Sequence, residues 1–267
     1  MKVLFIGDIV GRSGRAIVRE TLPELKREFS PDVIIANGEN AAAGVGITKK
    51  VYDELLGYGI DVITMGNHIW DRKDFLPDIN SCPNMVRPAN YPEGVPGIGH
   101  RIFSSKAGKY GVTNFLGRVF MPCIDCPFRM ADALIPKMKA ESPIVIIDFH
   151  GEATSEKNAF AWLFDGKVSA VIGTHTHVQT ADERILPQGT AFITDVGMVG
   201  AYDSIIGVQK EQIIKRFWLS IPEHFEPEKK GPGLFNGLFL DIDEGSGKAK
   251  EIKRIFRVTP QINVKEG

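Results

Sequence analysis

Residues 1–14 read Met1-Lys-Val-Leu-Phe-Ile-Gly-Asp-Ile-Val-Gly-Arg-Ser-Gly14, in which an apolar run, Lys2 to Ile6, stops at Gly7-Asp8. Beyond it, Ile17, Leu22, Leu25 and Phe29 are spaced to bury one face of a helix. A second apolar run, Asp32 to Ala36, stops at Asn37-Gly38-Glu39-Asn40, and a third, Asp61 to Met65, stops at Gly66-Asn67-His68. Between them, past a flexible stretch at Ala41 to Gly46, Thr48 is placed to cap a helix that runs to about Leu56. This is strand–helix–strand–helix–strand. Apolar strands that do not alternate are buried on both faces, and crossovers of this length make their sheet parallel. Ligands of such sheets bind outside the carboxyl ends of the strands.

The rest of the chain extends the pattern. Cys82 to Gly99 is rich in proline and glycine and reads as a long loop, followed by a hairpin of His100 to Ser105 and Tyr110 to Leu116. Gly117 to Pro127 reads as irregular and Phe128 to Lys139 as a helix. A fourth apolar run, Ile144 to Phe149, stops at His150-Gly151-Glu152, and Thr154 or Ser155 is placed to cap a helix carrying Phe160, Leu163 and Phe164. A fifth, Ser169 to Ile172, leads into Gly173-Thr-His175-Thr-His177. Ala191 to Thr194 is a further strand, Gln209 to Leu219 a helix, and Asn236 to Asp243 with Glu251 to Val258 a closing hairpin. No repeat or linker divides the chain, so one domain over residues 1–267 is expected, with about 82–129 an insertion or lid.

Composition narrows the function. With 43% hydrophobic and 24% charged residues the chain has the make-up of a globular protein. A net charge of −1 offers no electrostatic grip on long nucleic acid or an anionic membrane. The opening apolar run lacks the flanks of a signal peptide, and no apolar run has the length of a membrane span. Three cysteines, an odd number, argue for a reducing compartment, so a cytoplasmic location is expected.

The chemistry lies just beyond the strand ends: Asp8, then Glu39 with Asn40, then Asn67 with His68, then His150, then His175 with His177. Carboxylate and imidazole together are the ligand set of divalent transition metals. Histidines at i and i+2 of an extended segment project to one side about 6–7 Å apart, a separation that suits two ions about 3.5–4 Å apart. Each group also has an ordinary structural role: Asp8 and Glu39 as helix caps, Asn67 in a turn, His150 as a strand end. The joint pattern favours metal.

Gly7-Asp8, Gly38-Glu39-Asn40, Gly66-Asn67-His68, His150 and Gly173-Thr-His175-Thr-His177 resemble, in order and spacing, the motif blocks of calcineurin-like metallophosphoesterases. Within that superfamily the chain is most similar to the bacterial YmdB-like 2′,3′-cyclic-nucleotide 2′-phosphodiesterases. The resemblance implies an α/β fold, a four-layer α/β/β/α sandwich with the metal site at the carboxyl ends of strands. It departs from the superfamily pattern twice. The first block usually reads Asp-x-His but here is Asp8-Ile9-Val10, with Asn40 the natural replacement ligand. The third usually continues with an acidic residue, but Ile69 follows His68, leaving Asp71 either to orient that imidazole or to serve as a surface or capping group.

By the same resemblance, one metal takes Asp8, Glu39, Asn40 and His177, and the other Glu39, Asn67, His150 and His175. Two divalent or mixed-valence ions are implied, iron first, with manganese or zinc compatible with the same donors. They activate a bridging water as hydroxide and neutralise the phosphoryl oxygens, while His68 protonates the leaving alkoxide. The implied substrate is a small phosphoester, a 2′,3′-cyclic nucleotide opened to a 3′-nucleotide, and the family association allows a homo-oligomer. The rivals are a monoesterase, a nucleotidase, or a weakly catalytic nucleotide-binding regulator. A dinucleotide site is set aside because Gly7 to Gly14 lacks the G-x-G-x-x-G spacing. Gly197 and Gly200 could bring amides to a phosphate, Arg118 and Phe120 could reach a base, and Cys123-Ile-Asp-Cys126 lacks the further ligands of a zinc site beyond Cys82.

Overall fold

A computed structural model of the chain describes residues 1–262. Its first half contains β1 (Lys2–Ile6), β2 (Asp8–Ile9), α1 (Gly11–Phe29), β3 (Val33–Asn37), α2 (Lys49–Gly57), β4 (Val62–Thr64), β5 (Met85–Val86), β6 (His100–Ser105) and β7 (Gly108–Leu116). There follow α3 (Pro127–Glu141), β8 (Val145–His150), α4 (Thr154–Leu163), β9 (Ala170–Thr174), β10 (Arg184–Ile185), β11 (Ala191–Ile193) and β12 (Met198–Ala201). The described chain closes with α5 (Lys210–Leu219), β13 (Gly233–Ile242) and β14 (Ala249–Thr259).

Two mixed sheets result. The first has the order β2-β12-β13-β1-β3-β4-β5, with β14 also paired to β13. In it, β1, β3, β4 and β5 run parallel, as their crossover helices require, and β13 lies antiparallel beside β1. The second has the order β10-β11-β9-β8-β7-β6, with β7, β8, β9 and β11 parallel.

Alternation along each strand explains why neighbouring positions are both apolar. In β1, Leu4 and Ile6 pack in one cluster with Ile17, Leu22 and Leu25 of α1 and Val51 and Leu55 of α2. Val3 and Phe5 point the other way, into a cluster shared with Val112, Ile146, Ala170 and Ile172 of the second sheet. The far face of that sheet holds Val145, Ile147 and Phe149 against Leu134, Ile135 and Met138 of α3 and Phe160 of α4.

The expected elements form, with local differences. Thr48 caps α2 by accepting from the Val51 amide at 3.3 Å. α4 is entered at Ala153, whose side chain caps nothing, rather than through Thr154 or Ser155 acting as cap. Leu163 of α4 is 47% exposed, so the buried apolar side is carried by Phe160, Ala161 and Phe164. β2, β5, β10 and β12 are additions to the expected set: each spans two to four residues, too short for a period to register. Among the described residues no helix is long and apolar enough to cross a membrane.

Candidate metal centre

Strands of both sheets deliver the candidate ligands to one place. Asp8 follows β1, Glu39 and Asn40 follow β3, Asn67 opens a 3-10 turn (Asn67–Trp70) after β4, His150 ends β8, and His175 and His177 follow β9. Around His150 Nε2 lie Glu39 Oε1 at 3.0 Å, Asn67 Oδ1 at 3.2 Å and His175 Nδ1 at 3.0 Å. Around His177 Nε2 lie Asn40 Nδ2 at 3.1 Å and Asp8 Oδ1 at 3.9 Å. Glu39 joins the two groups, because its Oε1 also accepts from Asn40 Nδ2 at 3.2 Å.

Glycine makes the close approach of the strand ends achievable. A Cβ on Gly66 would stand 2.2 Å from Glu39 Oε2 and 2.5 Å from His150 Nε2, inside the site itself. On Gly173 it would stand 1.7 Å from the Thr194 carbonyl oxygen. Gly66 and Gly173 are therefore conditions for the side chains beside them to meet.

His175 and His177 reach the site by a different route from the one expected. β9 ends at Thr174, and both histidines lie in left-handed backbone, at φ 102° and 65°, rather than alternating along a strand. Their side chains consequently go to different groups. Such backbone costs about 1–3 kcal/mol per residue and persists only where surroundings over-determine it. Here the His175 amide donates to Asp8 Oδ2 at 3.3 Å and the Thr176 amide to Asp195 Oδ2 at 2.9 Å. The fully buried Lys157 ammonium donates to that same Asp195 oxygen at 2.8 Å and to the Thr174 carbonyl at 2.7 Å.

His150 is oriented from behind. Its Nδ1 lies 2.8 Å from Thr174 Oγ1, which donates to Asp148 Oδ1 at 2.6 Å. The other Asp148 oxygen accepts from Thr64 and, at 3.1 Å, from Asn37 Nδ2. A ligating imidazole is commonly oriented by such a chain through its second nitrogen.

The electrostatics fit cations. Burial, reinforced by the carboxylates of Glu39, Asp195 and Asp148 and opposed by His150, raises Asp8 well above the usual carboxylate range. Burial also raises Asp148. Against Glu39 burial is outweighed by His150, which holds the carboxyl down at about 2, while Glu39 in turn lifts His150 to about 9 against its own burial. Burial and the neighbouring His150 push His175 down to about 3, so its ring stays neutral and its nitrogen lone pair is available. Asp8 Oδ1 is buried with no hydrogen-bond partner. Ligand atoms of Glu39, His150 and His175 lie within 4.8 Å of one another. A pocket of buried carboxylates, a neutral imidazole and an orphaned carboxylate oxygen is a donor set short of positive charge. Asn40 fits once its amide presents oxygen rather than nitrogen, the two ends being alternative faces of one group.

Above this donor set opens a cleft of about 400 Å³ lined by Glu39, Asn40, His68, His175 and His177 on one side. The His68 amide donates to Glu39 Oε2 at 3.2 Å, tying its backbone to the donor set. Its Nδ1 lies 2.7 Å from Asp71 Oδ2, so Asp71 is the carboxylate that meets this imidazole. The lesser candidates do not converge here. The Gly197 amide is occupied by Asp195 Oδ1 at 2.8 Å, and Gly200 lies within β12 opposite Leu234. Arg118 and Phe120 are exposed and do not line the cleft, and Cys82, Cys123 and Cys126 are free thiols outside the ligand group.

Sequence reasoning passed over Asp148, Lys157, Asp195 and Glu152, the last with Oε2 3.2 Å from His175 Nε2. Two of them left a signal. Asp148 interrupts an apolar strand, and Lys157 stands three residues before Phe160 on the buried side of α4.

The YmdB-like protein family matches residues 4–255. A 2′,3′-cyclic-nucleotide 2′-phosphodiesterase of Bacillus subtilis is 51% identical over 256 residues, 96% of this chain and 97% of that protein. The crystal structure of a novel phosphatase from Mycoplasma pneumoniae superposes with a TM-score of 0.92 at 39% identity, over 97% of this chain and 94% of that one. A hypothetical protein of Thermus thermophilus does so with a TM-score of 0.91 at 40% identity, over 97% of this chain and 100% of that one. Matched along nearly its whole length by family and relatives alike, the chain belongs to the YmdB-like protein family.

Proposed function

We propose that this phosphoric ester hydrolase opens 2′,3′-cyclic nucleotides to 3′-nucleotides, using two metal ions held by Asp8, Glu39, Asn40, Asn67, His150, His175 and His177. The observation that carries the reading is the convergence of those seven side chains into two groups sharing Glu39, beneath a cleft into which His68 projects. The Bacillus subtilis relative supplies the substrate class. The α/β/β/α layering and a site at strand ends are the architecture this reading assumes, and the three apolar clusters support it. We take the chain as one domain in the cytoplasm, with about 82–129 an insertion or lid whose strands β5, β6 and β7 pair into the two sheets.

When bound, the cations supply an activated water and charge that neutralises phosphoryl oxygens. Iron is the first expectation, and the same donors accept manganese or zinc. The chain's own contribution is positional. His68 gives its proton to the departing 2′ oxygen, which is a poor leaving group without one. Asp71 on Nδ1 holds the ring so that Nε2 is the nitrogen free to donate. The amide of His68 on Glu39 keeps that donor in register with the ligand set. Asp148 and Thr174 hold His150, and Lys157 with Asp195 holds the turn that carries His175 and His177.

The test is hydrolysis of 2′,3′-cyclic AMP by the metal-loaded protein, with the product identified and bound metal counted. The expected product is 3′-AMP, and His175→Ala should lose both turnover and metal. Release of 2′-AMP, or two bound metals without turnover, would overturn the reading, as would full metal occupancy in His175→Ala.

A further inference from the structure

The rest of the cleft lining has a different character. It is formed by Ile206, Val208, Phe225 and Pro227, continued by Val45, Val10, Ala43 and Gly44. These side chains offer no hydrogen-bonding group. The backbone along the wall is largely engaged already. The Ile206 carbonyl meets His177 Nδ1 at 2.8 Å, the Val45 carbonyl accepts from Arg72 Nε at 3.1 Å, and the Val208 amide donates to the Ile205 carbonyl at 3.0 Å. Glu152 and Thr176, the remaining polar lining residues, sit with the donor set: the Glu152 carboxylate meets His175, and the Thr176 amide is taken by Asp195.

Two features show that this wall is built rather than incidental. Ile206 is β-branched yet sits at φ 47°, a conformation such residues rarely adopt, and it remains 47% exposed. Its turn is closed by Ser204, whose hydroxyl accepts from the Gly207 amide at 2.9 Å. That geometry aims the Ile206 carbonyl at a metal-site histidine and leaves the side chain on the cleft. Phe225 is 37% exposed, and its ring has the Arg216 guanidinium 5.2 Å from its centroid. Arg216 does not line the cleft, so the cation backs the ring from outside. The segment is pinned in place by Gln209 and Glu226: the Gln209 amide donates to the Glu226 carbonyl at 3.0 Å, and Pro227 bridges Val208.

We propose that Ile206, Val208, Phe225 and Pro227 form the nucleobase subsite, resting on the cyclic-nucleotide reading above, and that the base is held by its faces. With the phosphate over the donor set, the ribose spans the cleft and the base lies against the apolar wall. Side chains without donors or acceptors read no base edge. Recognition therefore rests on stacking, which every base supports, and discrimination among bases is weak.

The experiment compares 2′,3′-cyclic AMP with glycerol 1,2-cyclic phosphate, which has the same five-membered phosphodiester ring and no base. Phe225→Ala should raise KM for 2′,3′-cyclic AMP about tenfold with kcat retained, and leave glycerol cyclic phosphate unchanged. Phe225→Trp should keep KM within about threefold of the parent, since the aromatic face is retained. The unsubstituted enzyme should treat the adenine, guanine, cytosine and uracil cyclic nucleotides within about tenfold of one another in kcat/KM. Equal loss of Phe225→Ala on both substrates, an unchanged KM for 2′,3′-cyclic AMP, or a preference above about a hundredfold for one base would overturn the subsite while leaving the cyclic-nucleotide reading intact. Turnover of glycerol cyclic phosphate without turnover of any cyclic nucleotide would overturn both.

Discussion

His150, buried beneath the cleft, and Phe225, on its wall, rest on different kinds of support. His150 is fully buried at the end of β8, with Asp148 and Thr174 behind it and both ring nitrogens in contact. Phe225 stands on an irregular segment between α5 and β13, more than a third exposed, with a guanidinium behind it. Metal ligation, as proposed for these groups, tolerates displacements of a few tenths of an ångström, so its donors belong at the ends of strands locked at both faces. Stacking on a base is forgiving and can be left to a segment that packs on the fold without being part of a sheet. Rigidity in this molecule is therefore concentrated where bond geometry requires it.

If that division holds, removing a group from the reacting side should cost most. His68→Ala is expected to lower turnover of 2′,3′-cyclic AMP about 10²- to 10⁴-fold and to change hydrolysis of bis(4-nitrophenyl) phosphate little, because nitrophenolate leaves without a proton. Equal losses on the two substrates would remove the proton-donor role.

Next in size is the framework behind His175 and His177. Lys157→Met leaves the buried Asp195 carboxylate without its cation and should destabilise the fold by about 3–5 kcal/mol, measured by urea unfolding. Asp195→Asn added to it should restore part of that loss. A cost below about 1 kcal/mol would move the support of the left-handed turn to other contacts, such as the Asp8 carboxylate on the His175 amide.

The smallest effect is expected at Asp71. Its contact with His68 is solvent-accessible on both sides, so Asp71→Asn should lower activity on 2′,3′-cyclic AMP only about two- to fivefold. A loss as large as that of His68→Ala would show the dyad to be acting as one unit.

Legibility runs along the same line as rigidity. Asp8, Glu39, Asn67 and His150 are readable because each directly follows a short apolar strand, and the direction of parallel strands takes their ends to a common edge. The glycine beside each is readable too, although the purpose of Gly66, to clear space for Glu39 and His150, requires the packed arrangement. His175 and His177 are picked out for a reason that does not apply, since the backbone that carries them is left-handed rather than extended. Asp148 and Lys157 escape a sequence reading because a charge in an apolar run has no visible partner until strands from distant parts of the chain are side by side. Asp71 stands three residues from His68, and spacing leaves its role open until the 3-10 turn brings carboxylate and imidazole to 2.7 Å.

The parallel βαβ core, the family and the ligand types are thus written in the sequence, because apolar period and strand-end chemistry are local properties. Tertiary packing decides which side chains meet Glu39, how His175 and His177 are turned to different partners, and which apolar residues share their cleft. Those depend on contacts between segments as far apart as Glu39 and His150, or Val10 and Pro227, and no local pattern records a distance of that kind.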